Sequence, residues 1–131
     1  MSSGLMAYSV DPERISHANP ASYRSQCERH GSFLFNAPFS PVKFWWFAEV
    51  DKVLAGLGVD AVRMDDLWMG EEDGEEWSKE AVRQAASQAR AVTTEQVEAL
   101  EDYSMRKSVH TVLEWIREAA EQDHGIVGFY H

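Results

Sequence analysis

Leu5-Met6-Ala7-Tyr8-Ser9-Val10, near the start of the chain, and Ile126-Val127-Gly128-Phe129-Tyr130-His131, at its end, are the stretches whose reading decides the fold. Both are short apolar runs with aromatic or β-branched residues, the pattern of buried strands and too brief for ordinary helices. The sequence between them is punctuated mostly as helix. An α+β class follows, with a small sheet in which the first and last strands are the natural pair, packed by about five or six helices.

The intervening elements announce themselves by caps. Asp11-Pro12-Glu13 offers a carboxylate cap, a proline at the first helical position and an acid in the first turn, so a short helix is predicted there. Asn19-Pro20 repeats the device before a helix to His30, with Gly31 as its left-handed stop. Ser32 to Pro38 reads as an extended loop or short edge strand. Ser40-Pro41 introduces a longer helix whose stripe is Val42, Trp46, Val50, Val53, Leu54 and Leu57, and which leaves Phe44, Trp45 and Phe47 off that stripe and in need of cover. Gly56-Leu57-Gly58 ends it. The alternation Val59 to Met64 predicts another strand, and Asp65 to Glu76 a surface loop. Ser78 caps a helix with a narrow face of Val82, Ala85, Ala86 and Ala89. Thr93 or Thr94 starts the next, with Val97, Leu100 and Tyr103 facing inward. A final helix from Arg106 to Gln122 carries Val109, Val112, Leu113, Ile116, Ala119 and Ala120 on one face and is read as ending at Gly125.

No linker or repeat divides the 131 residues, so residues 1–131 are expected to form one domain, and a hydrophobic fraction of 44% suffices for its core. No run approaches the roughly 20 apolar residues of a membrane span, and no leader-like segment opens the chain. With Cys27 as the single cysteine, a cytoplasmic protein without disulfides is expected. Twenty-two acids against 12 bases leave a net charge of −10, which disfavours direct binding to nucleic acid or anionic membranes and favours a basic protein as partner.

The acids concentrate. Asp65, Asp66, Glu71, Glu72, Asp73, Glu75 and Glu76 occur without an intervening base, around or beside Trp68 and Trp77. Buried tryptophans anchor interfaces that rim charges steer, so these nine residues are the candidate partner-binding set. A solvated loop would show the same composition. A calcium loop is argued away: Asp73-Gly74 and Glu80 match the second half of an EF-hand, but Met69 stands where the first ligand belongs and Glu76 where an apolar residue belongs. His17, His30, His110, His124 and His131 have no ligand-spaced companions, and His124 reads as a helix-end residue bonding the last carbonyls. No nucleophile elbow, phosphate loop or dinucleotide fingerprint occurs, so no catalytic residue, metal or cofactor is assigned.

Gly4-Leu5-Met6-Ala7-Tyr8-Ser9-Val10-Asp11, the span Phe39-Ser40-Pro41 to Glu49-Val50-Asp51, and Trp115-Ile116 through Ala119-Ala120 to Gly125 and His131 resemble small bacterial domains distantly similar to the YfbM-like family. The resemblance covers under a third of the chain and implies an α+β fold without catalytic residues. The short segment before Phe33 and the acidic stretch depart from that pattern. The expected function is an acidic protein-binding domain of the immunity or inhibitor type that neutralises a basic toxin or nuclease. Its alternatives are an anti-defence or adaptor protein binding a basic host complex, and a small hydrolase or ligand-binding enzyme with a carboxylate and histidine pocket. A monomer is favoured over a homodimer through the aromatic turns near Trp45.

Overall fold

The computed structural model describes residues 4–15, 20–39, 44–68 and 75–130. The readings that fall on His17, Asn19, Ser40-Pro41, Met69, Glu71, Glu72, Asp73, Gly74 and His131 lie outside them. Strand β1 (Leu5–Val10) runs antiparallel to β4 (Gly125–Tyr130) in one unbroken register, from Leu5 opposite Tyr130 to Val10 opposite Gly125. Two short strands complete an antiparallel sheet of order β2-β1-β4-β3, with β2 at Ser32–Phe33 and β3 at Glu75–Trp77. The helices are α1 (Pro20–His30), α2 (Phe44–Gly56), α3 (Asp65–Trp68), α4 (Lys79–Ala89), α5 (Thr94–Glu98) and α6 (Tyr103–Glu121), with 3-10 turns at Pro12–Arg14 and Ala37–Phe39. None of the described helices is long and apolar enough to cross a membrane.

Strand alternation divides the core. Leu5, Ala7 and Ile126 face the main core, which α6 fills with Val109, Val112, Leu113, Ile116 and Ala119. Tyr8, Val10, Val127 and Phe129 form a second cluster with Ile15 and with Cys27 of α1. Both faces of β1 are therefore covered, which is why its run is apolar throughout rather than alternating. Trp115, outside the apolar stripe read from the sequence, is also buried; its Nε1 donates to the Phe35 carbonyl at 2.8 Å, so a polar atom on a core side chain is satisfied.

Several boundaries move for identifiable reasons. The final helix starts at Tyr103, ahead of Arg106, because the Asp102 carboxylate accepts from the Ser104 and Met105 N–H groups. Tyr103 consequently sits on the first turn and is exposed instead of facing inward. That helix ends before Gly125: Asp123 takes the left-handed conformation at φ 58°, and the Asp123 and His124 N–H groups donate to the Ala120 and Ala119 carbonyls. Gly125 opens β4 instead. Gly58 plays the stop role at the end of α2 with φ 94°. Gly31 does not adopt a positive φ; a Cβ there would lie 2.7 Å from the Cys27 carbonyl oxygen and 2.9 Å from that of Ser9, so it is small because chains meet there. Phe47, read as lying off the stripe of α2, belongs to the core.

The predicted strand at Val59–Met64 does not form. The Val59 N–H donates to the Leu54 carbonyl, Gln88 Oε1 accepts from Asp60 and Ala61, and the Asp51 carboxylate accepts from Met64 and from the next residue, Asp65. Val59, Val62 and Met64 are still buried, so the alternation was a true burial signal with no ladder behind it.

α3 approaches the sheet closely at Gly128, where an added Cβ would stand 2.7 Å from the Leu67 carbonyl oxygen and 3.0 Å from the Leu67 Cβ. Both atoms belong to packed backbone or core and cannot swing away. Gly128→Ala is expected to destabilise the domain by about 1–3 kcal/mol, the usual penalty of overpacking; urea unfolding that leaves the midpoint unchanged would contradict this contact.

Candidate functional site

The two described ends of the acidic stretch, α3 and β3, are each braced against the core. Asp51, on α2, reaches across to the start of α3, its Oδ1 accepting from the Met64 N–H at 2.6 Å and its Oδ2 from the Asp65 N–H at 3.2 Å. It supplies, from a distant residue, the carboxylate cap that a four-residue helix cannot stand without. Leu67 then inserts into the core and Trp77 closes the segment on β3. Burial pushes the Asp51 carboxyl up to about 6, against the pull of the two backbone N–H donors, with Asp65 adding repulsion and Arg63 opposing it.

Trp77 needs correcting as a partner anchor. It is 3% exposed, and its Nε1 donates to the Arg63 carbonyl at 2.9 Å. Its burial anchors the segment to its own domain. Of Trp68 and Glu75 the structure describes the backbone, in α3 and β3. Asp66 and Glu76 are exposed on either side of these anchors, and Asp65 is half-buried, 3.6 Å from the Arg63 guanidinium. Glu71, Glu72 and Asp73 lie outside the described residues.

A second feature escaped the sequence reading as a single site. The Ala37–Phe39 turn, the first turns of α2 and the N-terminal turns of α6 enclose a groove of about 420 Å³. Phe39 packs on Phe47 at 5.7 Å and on Trp115 at 5.4 Å between ring centres, which ties the floor into the core. Trp46 Nε1 donates to the buried Ser108 hydroxyl at 2.9 Å and so joins α2 to α6. Trp45 and Tyr103 remain 62% and 67% exposed at its sides. The signal was present in the uncovered aromatics near Trp45, but Tyr103 and Lys107 come from a helix more than fifty residues away and no periodicity joins them.

Three further sets of chemistry-bearing groups hold the fold together. His124 bonds a last helix carbonyl through its backbone N–H, to Ala119, while its ring Nδ1 is hydrogen-bonded to the Ser9 hydroxyl at 3.0 Å. Ser9 is fully buried, so this pair ties β1 to the end of α6 and offers no surface to a substrate. Cys27 is buried and its thiol is pushed up to about 11, first by burial and then by Glu76 and Glu28, which suppresses thiolate chemistry. Asp123 binds Arg83 at 2.7 Å and Lys79 at 3.4 Å, holding α4 to the turn before β4. Among the described residues no three His, Cys, Asp or Glu side chains are grouped to hold a metal.

A family model described as a domain of unknown function matches residues 16–131. No curated protein and no solved structure matches the chain.

Because the folded-state value of Asp51 stands above the unfolded value of about 3.9, its proton favours folding at low pH. That contribution is complete below about pH 4 and is lost as pH rises through about 6. Asp51→Asn is therefore expected to gain stability relative to the wild type between those values, and urea unfolding at a series of pH values checks it; parallel profiles would refute the assignment. Asp51→Ala, which leaves two N–H groups without acceptors, should cost about 1–3 kcal/mol near neutral pH.

Proposed function

We propose that this chain, which belongs to the DUF7691 family, is an acidic protein-binding domain of the inhibitor or immunity type that neutralises a basic partner such as a toxin. The observation that carries this reading is the bracing of the acidic edge. Asp66 and Glu76 are exposed on α3 and β3, which are held from within by Leu67, Trp77 and the Asp51 cap. Acids on a fixed backbone lose little freedom when a partner arrives, so less of the contact energy is spent on ordering them. β3 is also an edge strand, and its acids discourage pairing with another copy while attracting a basic surface.

The charge balance supports the same reading. Lys52, Arg63, Lys79, Arg83 and Arg117 each stand within 4 Å of an acid of the same chain, which leaves a surplus of acid for a partner. Such a surface acts chiefly on the encounter, within a Debye length of about 8 Å at physiological salt, and raises the association rate more than it slows release. A basic groove built for a polyanion, as in a nuclease, is the complementary target. The resemblance to the YfbM-like family adds no residue roles to this reading.

Neutralising Asp65, Asp66, Glu71, Glu72, Asp73, Glu75 and Glu76 to Asn or Gln is expected to slow association with a captured basic partner by about tenfold or more at low salt and to flatten its salt dependence. Stopped-flow association at two ionic strengths measures both. Wild-type rates in the neutralised protein would remove the acidic edge from the reading.

A further inference from the structure

We propose that the groove between the first turns of α2 and α6 is a binding site for a small planar aromatic molecule carrying one negative charge, an aryl carboxylate. This inference is independent of the acidic edge.

Size and lining come first. A volume of about 420 Å³ lies within the roughly 300–1,000 Å³ of small-molecule sites, which combine mostly aromatic walls with a few polar groups. The floor is rigid, since Phe39 and Phe47 belong to the core and Trp46 is fixed by Ser108. The side walls are open to solvent: Trp45 and Tyr103 are two of the most exposed large hydrophobic residues among those described, and they flank the same opening. Trp45 stands at 87° to Trp46 with ring centres 5.6 Å apart, and most of its surface remains open. Tyr103 is braced by Arg106, whose guanidinium lies 5.8 Å from the ring centre and is itself held by the carbonyls of Leu100 and Glu101. Two held rings with open area suit a planar guest that stacks on one or both.

Charge decides between an anionic and a cationic guest. Asp102 and Lys107 both line the groove. The Asp102 carboxylate is already engaged by the Ser104 and Met105 N–H groups at the positive end of a 19-residue helix, which offsets its charge. Lys107 is exposed and makes no ion pair among the described residues, unlike Lys52, Lys79, Arg83 and Arg117. The uncompensated charge at the opening is therefore positive. A cation would be repelled by Lys107, while a polyanion would meet the net charge of −10. A single carboxylate meets Lys107, and Asp102, partly offset at the helix end, opposes it less than the net charge opposes a polyanion.

The test uses three probes of one shape: 2-naphthoate, its neutral amide 2-naphthamide, and the cation 2-naphthylmethylammonium. Binding is followed by the indole N–H resonances of Trp45 and Trp46 in the ¹⁵N-labelled full chain. Naphthoate is expected to shift both and to bind roughly two- to fivefold more tightly than the amide, the worth of an exposed ion pair. Lys107→Met should bring that ratio to about one while leaving the amide's affinity unchanged. Trp45→Ala and Tyr103→Ala should each weaken every probe by about threefold or more, in keeping with an aromatic contact; both side chains are exposed, and an otherwise unchanged spectrum confirms the fold. Equal binding of carboxylate and amide, tighter binding of the ammonium probe, naphthoate binding that survives Trp45→Ala, or no shift with any probe would each overturn the proposal.

Discussion

The ladder between β1 and β4 is the contact on which the rest of the molecule depends. It joins residues more than a hundred positions apart, so nearly the whole chain becomes a loop closed by one six-residue pairing. The entropy of closing such a loop grows only with the logarithm of its length, and the ladder recovers it through burial on both faces. α6 lays its apolar stripe on one face and α1 places Cys27 on the other. Without the pairing neither helix has a surface to bury. Long-range pairing of this kind is also the slow kind, since the local helices must form and wait for it.

Around that sheet, polar side chains satisfy backbone groups that regular structure leaves open. Gln88 and Asp51 satisfy four donors of the Val59–Asp65 stretch, Asp102 caps α6, and Asp123 occupies a left-handed position more often given to glycine while binding Lys79 and Arg83. Asp51, Asp102 and Asp123, among the 22 acids, are therefore structural. The distinction matters for function: only exposed acids can meet a partner, and Asp66 and Glu76 are the described residues of the stretch whose side chains are exposed.

α2 connects the two surfaces. At its N-terminal end Trp45 and Trp46 stand in the aromatic groove, and two turns later Asp51 holds the start of the acidic edge. Six residues at 1.5 Å each put about 9 Å of helix between them. Val50 and Leu54 bury the same helix in the core, so both surfaces rest on one rigid element and are presented at a constant spacing.

The amino-acid sequence by itself determined the class of fold, because apolar runs at Leu5–Val10 and Ile126–Tyr130 and the stripe of the last helix are burial patterns that hold in any arrangement of a single domain. It also located the caps at Asp11 and Ser78 and narrowed a third to Thr93 or Thr94, of which Thr93 is the cap; each acts over two or three residues. What it could not contain was whether a buried alternation finds a strand to pair with, and Val59–Met64 does not, because Gln88 and Asp51 reach its donors first. Nor could it tell an anchoring tryptophan that faces a partner from one that faces home, and Trp77 faces home. The groove belongs wholly to tertiary structure: Trp45, Tyr103 and Lys107 share no period and no motif, and only the packing of α2 on α6, tied by Trp46 and Ser108, brings them to one opening.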